Sequence, residues 1–194
     1  MGKSQKPSEM NPKDLPEGRA FEDEFTRNLI QSAEEVSPGY YPFLAKNGKW
    51  KSAFPKEGLT NDLDYTSKDN FESFIFTDAK KGEDSSTTVN VSYYSSFNPG
   101  HIESKKRSLR SKTGYDLDFE EISDENATYY IAHFEDDSLY GYAAYIQKEK
   151  DAGGINVIYT ISCKNHCEDK KEAELKEAFD WIKTIKFVDD PENE

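Results

Sequence analysis

A chain of 194 residues with 35% hydrophobic and 32% charged content has room for one domain with a buried core. Twelve Tyr, twelve Phe and two Trp supply the apolar area that its sparse aliphatics do not. A formal charge of -13 repels a nucleic-acid backbone, so no nucleic acid is expected as a partner, and it favours basic partners.

No apolar run approaches the length of about eighteen residues needed to span a bilayer. Met1-Gly-Lys-Ser-Gln-Lys6 lacks the apolar centre of a signal peptide, and Lys6 stands where a myristoylation pattern wants Ser or Thr. Residues 1–18, with Pro7, Pro12 and Pro16 among Lys, Ser, Glu and Asn, offer too little apolar surface to repay ordering and are expected to form a flexible polar tether. Bacterial lipoproteins carry such a spacer after the lipid-bearing cysteine, and a chain starting just past that cysteine would begin this way. A frayed terminus has the same composition, and a cytoplasmic protein is the alternative to a processed, lipid-anchored one.

The folded domain is expected over residues 19–188. Phe21, Phe25, Leu29, Ala33 and Val36 recur at helical spacing behind the acidic Glu22-Asp-Glu24 and predict a helix over 19–36. Tyr40-Tyr41-Pro42-Phe43 is expected as a loop. Asn47-Gly48 turns the chain into a strand with Trp50, Ser52 and Phe54 on one face. Strands follow at 71–77 and 87–94, joined by a polar hairpin loop over 80–86. Residues 101–113 read as a short basic helix stopped by Gly114. A meander of strands at 117–122, 127–134, 139–147 and 155–163 has turns short enough to demand antiparallel neighbours. A helix over 168–184 turns Leu175, Ala178, Phe179, Ile182 and Ile185 inward, and 189–194 is an acidic tail. The fold class is therefore α+β: an antiparallel sheet of about six to seven strands flanked by helices, with an extra N-terminal helix.

Trp50-Lys51, Phe54-Pro55 and Phe179-Asp-Trp-Ile-Lys-Thr-Ile-Lys-Phe187, in this order of elements, resemble the Mog1/PsbP-like fold group over roughly residues 48–188. That group includes many small lipoproteins of Gram-positive type. The resemblance implies an extracytoplasmic protein held at the cell membrane by a lipid anchor, binding a protein partner at the cell envelope rather than catalysing a reaction. The helix at 19–36 departs from the simplest members.

Cys163 and Cys167 flank His166 and are the only thiols. Three readings stand: a disulfide bond pinning a strand end to the start of the last helix, as suits an oxidising compartment; two free thiols; or a zinc site that would need a fourth ligand such as Glu168 or Asp169. The disulfide agrees with the tether. Lys105, Lys106, Arg107 and Arg110 on the basic helix form one candidate interaction surface, set against the bland alternative of a solvated face paired with nearby acids. Tyr94, Tyr130 and Tyr142 form another, set against rings packed in the core with wet hydroxyls. The chain carries no nucleophile elbow, phosphate loop or zinc-protease helix motif, so no catalytic residue, metal or cofactor is expected. The alternatives to a non-catalytic protein-binding module are an acidic immunity or inhibitor protein against a basic toxin or enzyme, and an enzyme or metal-binding protein with an unmarked site at His133 or His166.

Overall fold

The computed structural model describes residues 5–79, 84–164 and 168–188. The chain runs through α1 (Arg19–Glu22), α2 (Glu24–Arg27), β1 (Tyr40–Leu44), β2 (Trp50–Pro55), β3 (Gly58–Leu59), β4 (Tyr65–Lys68), β5 (Phe71–Asp78) and β6 (Ser85–Tyr94). It continues through α3 (Ile102–Thr113), β7 (Glu120–Ser123), β8 (Ala127–Glu135), β9 (Leu139–Lys148), β10 (Gly154–Cys163), α4 (Glu168–Lys183) and β11 (Lys186–Phe187). Among the described residues the strands form two sheets. The larger has eight strands in the order β3-β5-β6-β10-β9-β8-β7, with β4 also paired to β5. The smaller is β1-β2-β11. Every pairing is antiparallel. The chain leaves the sheet after β6, crosses one face as α3, enters at the far edge as β7 and meanders back until β10 lies beside β6.

Period-two alternation divides the core into two layers. On β9, Tyr140, Ala144 and Ile146 face the layer shared with α4 and the small sheet, while Ala143 and Tyr145 face the layer beneath α3. Trp50, Phe43, Phe54, Phe74 and Phe76 lie at the centre of the first layer, with rings 5.0–6.0 Å apart. Leu109 and Leu117 pin α3 and the segment after it onto Tyr130, Ala132 and Phe134 in the second. α3 ends as expected, with Gly114 at φ 79° donating its N–H to the Arg110 carbonyl, a left-handed cap that glycine adopts without steric cost.

α4 docks on the small sheet through a short polar lock. The Trp181 indole N–H donates to the Ala53 carbonyl at 2.8 Å, and Thr184 Oγ1 accepts from the Ala53 N–H at 3.1 Å. The chain then turns directly into β11, which pairs with β2 beside Trp50.

Three expectations are corrected and one is refined. The helix over 19–36 is two separate turns: Asp23 takes an extended conformation (ψ 124°), ends α1 and caps α2 by accepting from the Thr26 N–H at 2.7 Å. The apolar spacing there reflects burial from both turns and from the following extended chain, whose Leu29 and Ile30 are core residues while Val36 is 58% exposed. Tyr40–Leu44 is a strand rather than a loop, since Pro42 sits on an edge strand where its missing donor is harmless. The α+β class with an antiparallel sheet holds, and the large sheet has eight strands in place of about six or seven because the short β3 and β4 extend it. Residues 5–18 carry two 3-10 turns, Pro7–Glu9 and Pro12–Asp14, with Pro7 buried and Leu15 packed on the core. This end is laid against the domain rather than hanging free of it.

Candidate functional site

The basic helix spends most of its charge on its own aromatic neighbours. Lys105 Nζ lies 3.5 Å from the centroid of Phe97, Lys106 Nζ 4.5 Å from that of Tyr130, and the Arg110 guanidinium 5.3 Å from that of Phe119. Burial, and secondarily Lys112, lowers the pKa of Lys105. Arg110 Nε and Nη2 both donate to the Leu117 carbonyl at 3.1 and 2.9 Å, and Lys106 pairs with Glu103 at 3.2 Å. Of the four basic residues singled out from the sequence, Arg107 alone is fully exposed. The basic helix is thus a lid whose cations roof the second core layer. Tyr130 is 8% exposed and belongs to that layer, so it does not present an interaction surface. Tyr94 is half-buried and stacks on Phe97 at 4.3 Å.

Tyr142 differs. It lies on the opposite face, half-buried, with its ring 5.8 Å from Phe179 of α4 and 5.6 Å from His133 of β8. With Leu175 and Phe179 it floors a groove of about 590 Å³ walled by Glu168, Lys171, Glu172 and Lys176. At Glu168 and Lys171 this groove runs into a second, of about 810 Å³, at the end of the sheet. There Glu135, Asp136, Asp137, Glu168 and Asp169 outnumber Lys164 and Lys171. Lys171 holds the Glu135 carboxyl below its ordinary range through a 2.6 Å contact. The Tyr115 hydroxyl, 2.5 Å away, and the Ser138 and Leu139 N–H groups do the same for Asp136. Glu135 and Asp136 therefore stay ionised to lower pH than an ordinary carboxyl.

Cys163 also lines the acidic groove, as the last residue of β10, half-buried against the main core. Cys167 and His166 lie outside the described residues, and with them the expected bridge and the zinc alternative. His133 is exposed, 3.5 Å from Glu135. His101 caps the turn before α3, its Nδ1 accepting from the Asn98 N–H at 3.1 Å. The two described histidines are on opposite faces of the molecule and share no site.

Two polar clusters were missed from the sequence. Between α4 and the ends of β5, β6 and β10, Asp78, Glu174 and Glu177 gather round a hollow of about 30 Å³ with Ser85, Thr87 and Tyr159. Ser85 donates to Glu174 at 2.5 Å, Tyr140 donates to the same carboxylate, and Tyr40 donates to Glu177 at 2.5 Å. Burial first, then these carboxylates, drives the phenols of Tyr140 and Tyr159 far up. The hollow has room for about one or two water molecules. In the second cluster, Glu72 of β5 is fully buried and accepts from the Lys46 and Asn47 N–H groups (each 2.9 Å), the Ser67 hydroxyl (2.9 Å) and the Tyr65 hydroxyl. Among the described residues no group of three His, Cys, Asp or Glu is arranged to hold a metal ion, and no helix is long and apolar enough to cross a membrane.

The family model described as "Putative lipoprotein YvcA" matches residues 16–186, nearly the whole domain. The chain belongs to this Mog1p-like YvcA family. A relative, the "Putative lipoprotein YvcA" of Bacillus subtilis (strain 168), is 29% identical over 201 residues, covering 95% of this chain and 83% of its own. The resemblance drawn from Trp50, Phe54-Pro55 and the segment 179–187 is to this family, and the three fall where the architecture needs them. Trp50 and Phe54 form the centre of the first layer, and 179–187 holds the Trp181 lock and β11. The match opens at Pro16, inside the segment expected to be a tether through residue 18.

Proposed function

We propose that this chain is the extracytoplasmic part of a lipid-anchored cell-envelope protein, and that it binds a basic protein partner along α4 without catalysing a reaction. Its membrane association runs only through the lipid. The observation that carries the binding reading is the continuity of the two grooves. An apolar floor of Tyr142, Leu175 and Phe179 adjoins an acidic channel with five carboxylates. Aromatic and aliphatic anchors beside a polar rim are the anatomy of a protein interface, and the acids select a basic surface. The lipid anchor is supported by the name the family and its Bacillus subtilis relative carry. In that compartment Cys163 and Cys167 form a disulfide bond.

A photo-reactive amino acid placed at Tyr142 in cells tests the binding reading, with the same group at the exposed Arg107 of α3 on the opposite face as control. We expect a discrete adduct from position 142 that high salt abolishes. An equal pattern from both positions would remove α4 as the binding face. Fractionation with externally added protease tests the location: the domain should sediment with membranes and be cut from outside. Intact mass with and without reductant tests the bridge, which appears as a deficit of two hydrogens restored by reduction.

A further inference from the structure

The face of the large sheet that α3 crosses is covered only in part. Among the described residues α3 rests on β9 and β10, and most of the side chains that β5, β6 and the far half of β10 turn to this face keep some exposure. Eleven side chains point from these strands to that face: alternate positions 73–77, 86–92 and 156–162. Seven are Ser or Thr, two Asn and two Ile, and none is charged, in a chain where 32% of residues are charged. Register aligns them in cross-strand rows. One row is Thr77, Thr88 and Thr160; the next has Asn90 between two isoleucines; the third is Ser73, Ser92 and Asn156. Thr77 and Thr88 are exposed. At the inner end, beside the α3 layer, Asn156 is 8% exposed and its Oδ1 is buried without a hydrogen-bond partner. A step of rings closes the same end: Phe71 lies 4.9 Å from Tyr94, which stacks on Phe97.

We infer that this uncharged face binds a neutral polysaccharide strand. Each competing occupant fails on a property of the face. An anionic chain meets no cation among the eleven residues and is repelled by the -13 body. A basic chain finds no carboxylate there. A second copy would be free of charge repulsion at this face, but three strands about 4.8 Å apart and about five to seven residues of about 3.4 Å rise give roughly 250–350 Å² per copy. The pair would bury about 500–700 Å², well short of the roughly 1,200 Å² of a stable interface. A polyol matches what is present. Hydroxyl and amide groups at strand spacing both donate and accept along an extended chain. The unpaired Asn156 oxygen lacks a donor, directly or through one water. The half-buried Phe71 and Tyr94 rings present an apolar step for the C–H face of a sugar.

The test is native affinity electrophoresis of the whole chain in gels cast with soluble β-glucan, mannan or glycol chitin, with alginate and heparin as anionic controls. We expect retardation by at least one neutral polymer and by neither anion. Thr88→Glu and Thr77→Glu place a charge on exposed positions and leave the fold intact, as circular dichroism would check. Each should weaken retardation by about tenfold or more, the consequence of desolvating an unpaired charge, whereas Tyr142→Ala on the opposite face should leave it unchanged. Three outcomes would overturn the inference: no retardation by any neutral polymer, retardation that survives both glutamates, or a dimer in solution that Thr88→Glu dissolves.

Discussion

Glu72 sits at the centre of a buried junction with no unsatisfied oxygen. Its carboxylate takes the N–H groups of Lys46 and Asn47 from the β1–β2 turn and the hydroxyls of Tyr65 and Ser67 from β4. Lys46 Nζ lies over the rings of Phe25 and Tyr65, 4.1 and 4.7 Å from their centroids. A buried charge is tolerated only when its hydrogen bonds are complete, and here one residue ties the small sheet to the edge of the large one. Glu72→Gln exchanges one acceptor oxygen for a donor that faces a donor. We expect a loss of about 2 kcal/mol, read as a lower urea midpoint at unchanged slope. At Gly141 the constraint is steric. A Cβ there would stand 1.9 Å from the Tyr159 carbonyl oxygen of the neighbouring strand, so Gly141→Ala must spread β9 from β10 in mid-sheet. The expected cost is about 3 kcal/mol or more, with soluble yield falling accordingly. Both residues look ordinary in the sequence, one acid among 38 and one glycine among 11. Their roles come from register, which no local pattern states.

The elements that could be read from the sequence were those with a period. β5, β6, β8, β9 and β10 alternate, α4 carries helical spacing, α3 ends at a glycine stop, and these form most of the architecture. The failures share one cause. Over 19–36 the apolar residues serve three different packing partners, so an apparent helical period was assembled from two turns and an extended chain. β1, β4 and β11 are strands because of what they lie beside, and their own residues signal little. Part of the candidate α4 groove was visible, since Tyr142 was set apart as a surface tyrosine and Leu175 and Phe179 were placed on the inner face of the last helix. The acidic channel was not, because Asp136 and Asp169 meet only once β8 turns back beside the start of α4. The β7–β8 turn offers a test at this scale. Asp124 reaches Lys186 on β11 and accepts from the Asn126 and Ala127 N–H groups at 2.8 and 3.0 Å. Burial opposes its ionisation, but Lys186 and the two N–H groups outweigh that and leave the carboxyl below its ordinary 3.8. A depressed carboxyl stabilises above its unfolded pKa and loses that contribution as pH falls through the lower folded one. Asp124→Asn should therefore cost about 1 kcal/mol or less at neutral pH, since both partners are about one-third exposed. The difference from the parent should close as pH falls below the ordinary carboxylate range, by urea titration at each pH.

For the whole molecule, alkali is the more searching perturbation, because the tyrosines that build the core are also its latent charges. Tyr40, Tyr65, Tyr140, Tyr145 and Tyr159 are all driven well above the ordinary 10.0, in each case first by burial; Glu177, Glu72 and Glu174 add to it at Tyr40, Tyr65 and Tyr140. A group whose pKa is raised by folding contributes stability that is complete below its unfolded value and is lost as pH climbs through the folded one. Nothing should therefore change from neutrality to about pH 10 on this account. Above it the unfolded chain releases protons that the native chain retains, and five sites pull toward unfolding together. Lysines lose their charge in the same range, so the excess of 38 acids over 25 bases deepens and self-repulsion adds to the same direction. The tyrosinate absorbance should rise in two stages. An early reversible stage near the ordinary pKa belongs to the more exposed rings, and a later steep stage coincides with loss of far-ultraviolet circular dichroism. Added salt should move the second stage to higher pH by screening the repulsion and leave the first nearly in place. A single smooth titration with the circular dichroism unchanged would mean that these phenols are accessible, and that the aromatic layers are not packed as the structure shows.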